Sequence, residues 1–97
     1  MDGYRFQTTF WMDFTIADAF GEDAVKDTFK RAFEEWRDNY IYLTELVIVM
    51  NMKCWYWYDK GNHSLSRIYS DYYYQAKDYA CDHLDGDEFE YFFQMTD

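Results

Sequence analysis

Proline is missing from this 97-residue chain, and glycine occurs only four times. With so few residues that end or kink a helix, long uninterrupted helices are expected, and the apolar positions do recur at helical rather than strand spacing. Basic residues are scarce as well: nine Lys and Arg stand against nineteen Asp and Glu, a formal net charge of -10. That balance excludes direct nucleic-acid binding as a first expectation, because phosphate contacts need cations to displace condensed counterions. It disfavours anionic membrane surfaces on the same grounds. No long hydrophobic run is present either. The longest aliphatic stretch, Leu46 to Met50, falls far short of the ~20 residues that a spanning helix needs. The start, Met1-Asp2-Gly3-Tyr4-Arg5-Phe6, has no basic region followed by an apolar stretch and no small-residue cleavage site, so a cytoplasmic location is expected. The two cysteines, Cys54 and Cys81, allow one disulfide at most. Both fall on apolar stripes of expected helices, which favours free, buried thiols.

What the chain does have is apolar and aromatic side chains, 49% and 25% of residues, too many for a disordered polymer. Residues 1–97 therefore read as one acidic helical domain with a single core. The pattern predicts an all-α fold, a compact bundle of about five helices preceded by a short extended arm over Tyr4 to Thr8. Thr9 to Phe20 forms the first helix, capped by Thr8 or Thr9, with Phe10, Phe14 and Ala17 inward and Gly21 just past its end. Glu22 to Asp38 forms the second, on the spacing of Val25, Phe29, Ala32, Phe33 and Trp36.

Ile41 to Asp59 is apolar on most sides and is expected to be the central helix. Leu43, Leu46, Val47, Met50, Cys54 and Trp57 make one stripe, with Ile48, Met52 and Trp55 on another. The alternative is an α+β fold with a hairpin around residues 47–70, since Val47, Ile48, Val49 and the aromatic run have strand propensity and Asp59-Lys60-Gly61-Asn62 suits a turn. Ser64 to Leu84 forms the fourth helix, with Leu65, Ile68, Tyr69, Tyr72, Ala76, Tyr79, Ala80 and His83 inward. In the fifth, Asp87 and Glu90 resemble a capping box and Phe89, Phe92 and Phe93 face inward.

Charge is unevenly distributed. From Asp71 onward the acids are Asp71, Asp78, Asp82, Asp85, Asp87, Glu88, Glu90 and Asp97, opposed only by Lys77. On the fourth helix Asp71, Asp78 and Asp82 share the face away from the core, separated by about 6 to 10 Å along the axis at ~1.5 Å per residue. That is of the order of the ~7 Å between neighbouring phosphates on one strand, so the row suits a Lys/Arg groove built for a nucleic-acid backbone. Tyr73 and Tyr74 supply rigid amphipathic contact area beside it, and tyrosine rings can stack on arginine. The candidate partner-binding set is Asp71, Tyr73, Tyr74, Asp78, Asp82, Asp85, Asp87 and Glu88. The competing interpretation is a face that keeps an aromatic-rich domain soluble, with Asp87 and Glu88 complementing the last helix's N-terminus.

Support for catalysis is thin. Cys81 and His83 are two residues apart and point to different sides of a helix, so neither a dyad nor a zinc pair follows. His63 falls in a turn where Ser64 and Ser66 serve as helix caps. Asp13 with Asp18, and Glu34 with Glu35 and Asp38, are carboxylate groupings without an accompanying motif, since the sequence contains no CxxC, HExxH, GxGxxG or Walker pattern. A bundle this small leaves little room for a ligand cavity of about 300 Å³ or more. The run Trp55-Tyr56-Trp57-Tyr58 is expected in the core rather than as a stacking box. No enzyme activity, cofactor or metal is expected.

The string from Thr8 to Gly21, Thr-Thr-Phe-Trp-Met-Asp-Phe-Thr-Ile-Ala-Asp-Ala-Phe-Gly, followed by Tyr42-Leu43-Thr44-Glu45-Leu46-Val47, resembles small acidic proteins carried by phages and conjugative elements of Gram-positive gut bacteria. The resemblance covers most of the chain and carries no catalytic motif. It implies a setting in which compact acidic proteins look like counter-defence factors, including anti-CRISPR inhibitors that mimic DNA. The partner so implied is a basic nucleic-acid-binding protein such as a CRISPR effector. The alternative is a small adaptor or regulatory interaction module that buries an apolar surface, for example the Tyr4 to Trp11 arm.

Overall fold

A computed structural model describes residues 2–96, with side chains from Phe10 to Thr96. Among these residues five helices follow one another: α1 (Asp2–Phe20), α2 (Glu22–Trp36), α3 (Tyr40–Asp59), α4 (His63–His83) and α5 (Gly86–Thr96). The all-α expectation holds, and no strand forms among the described residues. Residues 47–70 are helix, turn and helix rather than a hairpin. Lys60 ends α3 in the right-handed region and Gly61 turns the chain with φ 82°. The expected extended arm, Tyr4 to Thr8, is corrected to helical backbone, because α1 starts at Asp2. Nothing between Arg5 and Phe10 forces an end, and Thr8 and Thr9 are interior residues rather than caps. The side chains of Tyr4 to Thr9, part of the proposed adaptor arm, lie outside the described residues.

The links are short, and each has a local reason. Gly21 alone joins α1 to α2; its N–H reaches the Ala17 carbonyl at 3.1 Å while its φ of 117° is one that a side chain rarely tolerates. Asn39 caps α3 by accepting from the N–H groups of Ile41 and Tyr42 at 3.1 and 3.3 Å. Asn62 caps α4 by accepting from Leu65 N–H at 3.1 Å. Ser64 and Ser66 are therefore not the caps. Asn62, two residues before Ser64 and four before Ser66, takes that role, freeing Ser64 to donate to Glu22 at 2.6 Å and Ser66 to donate to the Cys54 carbonyl at 2.9 Å. Asp87 likewise sits within the first turn of α5, which begins at Gly86, so no capping box forms there. Replacing Asn39 by alanine is expected to cost about 1 kcal/mol, read as a shifted urea midpoint at unchanged slope.

α3 touches all four other helices and packs most extensively on α4. Leu43, Leu46, Val47, Val49 and Met50 are fully buried along it. Around them close Phe10, Phe14 and Ala17 from α1, Val25 and Phe29 from α2, Leu65, Tyr69, Ala76 and Ala80 from α4, and Phe92 from α5. Ring contacts join the layers: Phe29 stacks on Tyr72 at 4.0 Å and Trp36 on Tyr42 at 4.0 Å, and Phe14 meets Tyr69 edge-on at 5.9 Å. The radius of gyration, 12.8 Å, matches the roughly 12.5 Å expected of a closely packed chain of this length. No helix among the described residues is long and apolar enough to cross a membrane.

Several expected core residues lie outside it. Trp55, Tyr56 and Tyr58 are exposed, and only Trp57 of that run is half-buried. Four consecutive helical residues at 100° each go round the whole circumference, so one neighbouring layer cannot cover them all. Met52 is exposed for the same reason. Cys81 is free and exposed, not buried, because its neighbour Ala80 takes the core-facing position; Cys54 is free and half-buried. His83 is exposed and stacks on Tyr79 at 3.8 Å, and Phe93 is exposed while Phe92 carries the α5 contact.

Candidate functional site

The acidic row forms as the spacing predicts. Asp71, Asp78 and Asp82 are exposed on α4. At 100° per residue they lie within about 40° of arc. Tyr74, between them in sequence, is 57% exposed. Asp85 lies in the link that follows, and Asp87 and Glu88 are in the first turn of α5, all exposed. Tyr73 is placed differently. It is half-buried, lining a cleft of about 210 Å³ with Lys77, Cys81, Phe89 and Phe92, while meeting Tyr74 edge-on at 5.1 Å. Lys77 Nζ stands 5.5 Å from the centre of the Tyr73 ring. Among the described residues the one ion pair is Lys53 with Asp18, so no salt bridge neutralises any member of the acidic row.

That ion pair belongs to a second cluster, inside the bundle. Asp18 of α1 receives three side-chain donors. Lys53 Nζ and Trp57 Nε1, both of α3, reach its Oδ2 at 3.0 Å each, and the Tyr69 hydroxyl of α4 reaches Oδ1 at 2.5 Å. The two charged side chains are 2% and 5% exposed. Lys53 also donates to Thr15 Oγ1 at 2.7 Å, and Thr15 donates in turn to the Trp11 carbonyl. The ammonium lies 4.0 Å from the Trp11 ring centre. Burial, then the hydrogen bond to Asp18, then that group's charge push the Tyr69 hydroxyl well above the usual phenol range, which keeps it a donor. Buried charges are tolerable when paired and hydrogen-bonded throughout, and this set joins α1, α3 and α4.

A different carboxyl has no such support. Glu45 on α3 is buried, and its Oε2 has no hydrogen-bond partner. Burial raises its pKa from 4.5 to about 7. Tyr91 of α5 is close enough to feel it: the phenol is raised first by burial, then by the Glu45 charge and by Tyr40.

The other carboxylate groupings do not assemble. Asp13 and Asp18 are five residues apart, about 140° round the helix, and part company: Asp13 is exposed towards α2 while Asp18 turns inward. Glu34, Glu35 and Asp38 are exposed, and Asp38 accepts from the Tyr79 hydroxyl at 3.1 Å. His63 meets Tyr58 edge-on at 5.5 Å, and His83 Nδ1 lies 2.9 Å from the Tyr79 carbonyl. Open clefts do exist between helices, against the expectation of little room: about 500 Å³ between α1 and α2, and about 410 Å³ beside Trp11, Lys53, Tyr56 and Trp57.

No protein-family model matches this chain, and neither a curated protein nor a solved structure matches it.

The cluster around Asp18 escaped the sequence reading, which noted Asp18 only beside Asp13. One signal was available. Lys53 stands three, four and seven residues after Met50, Val49 and Leu46, all core positions, so a cation at that place needs a buried partner.

Proposed function

We propose that this chain is a non-enzymatic inhibitor that binds a basic nucleic-acid-binding protein, acting as an acidic DNA mimic of the anti-CRISPR kind in the host cytoplasm. The observation that carries the reading is the row Asp71, Asp78 and Asp82, exposed on one face of α4 and without a salt bridge among the described residues, on a chain of net charge -10. A groove of Lys and Arg that holds a phosphate backbone meets charges at similar intervals in this row, and Tyr74 adds contact area. The helix fixes the spacing before binding, which lowers the ordering cost. Asp85, Asp87 and Glu88 extend the negative surface past the end of α4.

The test reverses two charges. Asp78→Lys with Asp82→Lys is expected to weaken capture of a CRISPR effector at least tenfold, with helicity unchanged by circular dichroism, and the wild-type complex is expected to elute by roughly 0.5 M salt. Undiminished capture and inhibition by this double variant sink the proposal.

A second reading, a small adaptor module, is favoured by the large apolar side chains left uncovered: Ile16 at 58%, Phe20 at 80% and Trp55 at 59% exposure. Salt-insensitive binding with a large negative heat-capacity change distinguishes it from mimicry.

A further inference from the structure

Between α1 and α2 runs the cleft of about 500 Å³, open to solvent. Three small residues line it, buried Ala17 of α1 with half-buried Ala24 and Ala32 of α2, which favours close approach of a third backbone. Ile16 and Phe20 line it from α1, as do Phe10 and Trp36, whose rings both contact Tyr42. From Phe10 to Phe20 the groove spans ten residues of α1, about 15 Å at ~1.5 Å per residue, the length of nearly three turns of a docked helix. Ile16 and Phe20 are separated by four residues, the spacing at which one helix presents side chains to the apolar seam of another. A side chain such as Phe20, 80% exposed on a well-formed helix, is a large uncompensated apolar surface in water.

The rim decides what fits. Among the described residues, Asp13, Asp27 and Glu35 line it against Arg31 alone. A second copy of the chain brings another net charge of -10 to the same place, whereas a basic helix relieves the excess. We infer that the α1–α2 groove seats a basic amphipathic helix of a partner protein, with apolar residues at i, i+4 and i+7 against Ile16 and Phe20 and Lys or Arg flanking them towards Asp13 and Glu35. The proposal deepens the adaptor reading and does not depend on the α4 row.

The probe is a set of 16-residue synthetic helical peptides: Leu at those positions with Lys and Arg elsewhere, the same design with Glu elsewhere, and a scrambled basic sequence. Binding is followed by calorimetry and by amide chemical-shift changes on the full chain. The basic amphipathic peptide is expected to bind at micromolar concentration and to shift residues of α1 and α2. Ile16→Ser with Phe20→Ser, both exposed and so compatible with the fold, is expected to weaken it at least tenfold. Asp13→Lys with Glu35→Lys is expected to weaken it about fivefold at low salt, the difference vanishing near 0.5 M. Equal binding of the scrambled peptide, shifts confined to α4, or no binding at 0.2 mM each overturns the groove assignment. Shifts confined to Trp55 and Tyr58 overturn it while leaving the adaptor reading standing. Concentration-dependent dimerisation abolished by the Ile16 and Phe20 changes replaces the partner helix with a second copy.

Discussion

Lys53→Met is expected to destabilise the protein by about 3–5 kcal/mol. The methionine fills most of the lysine volume, so the loss is not chiefly a cavity. It comes from Asp18, left 5% exposed with its cationic partner gone and only Trp57 and Tyr69 donating to it. Domains of this size are stable by about 5–15 kcal/mol in all, and the thermal midpoint is expected to fall by more than about 12 °C. Adding Asp18→Asn to Lys53→Met removes the stranded charge, and the amide can accept from Trp57 through its oxygen while its NH2 group donates to the Tyr69 hydroxyl. This double variant is expected to recover at least half of the loss, a coupling that a cycle of urea denaturations measures directly. Additive losses would mean that the two side chains act separately, and that the cluster does not hold α1, α3 and α4 as a unit.

The contrast between this cluster and the helices shows what a single sequence can convey. Helix positions are local: Val25 and Phe29, or Leu65, Tyr69 and Ala76, repeat at a spacing that only a helix aligns, and all five are buried. The acidic row was legible for the same reason, since Asp71, Asp78 and Asp82 belong to one helix and a solvent face needs no partner to be recognised. The Asp18 cluster spans three helices, with partners 35, 39 and 51 residues away. Periodicity says which face of a helix is inward and not which helix it meets. The aromatic run from Trp55 to Tyr58 was misread because hydrophobicity was taken as burial, although its residues point all round the end of α3. The α1–α2 groove was invisible for a related reason: Ile16 and Phe20 belong to an apolar helix, and only the arrangement of neighbours leaves that side uncovered.

Glu45 should make the protein lose stability as pH rises from about 4.5 to about 7, opposite in direction to a paired surface acid. Its carboxyl is raised from 4.5 to about 7 by burial, so the folded state holds the proton more tightly than the unfolded chain does. The associated stability is fully present below about pH 4.5, falls between there and about pH 7, and is absent above it. Mutual repulsion among the other acids changes stability with pH too, so the comparison that isolates Glu45 is a difference between variants. Glu45→Met keeps an unbranched side chain of similar length and removes an oxygen that has no hydrogen-bond partner. At pH 8 it is expected to be more stable than the parent by about 2 kcal/mol, and the difference should shrink progressively towards pH 5 as the parent carboxyl takes up its proton. Tyr91 provides an independent readout, because the Glu45 charge is one of the causes holding its phenol high. In Glu45→Met the Tyr91 hydroxyl is expected to ionise at lower pH, followed by its ultraviolet difference spectrum. A stability difference that does not change between pH 5 and 8 would assign the gain to packing alone. It would also place the Glu45 carboxyl near its ordinary range, in contact with water despite its position beneath α5.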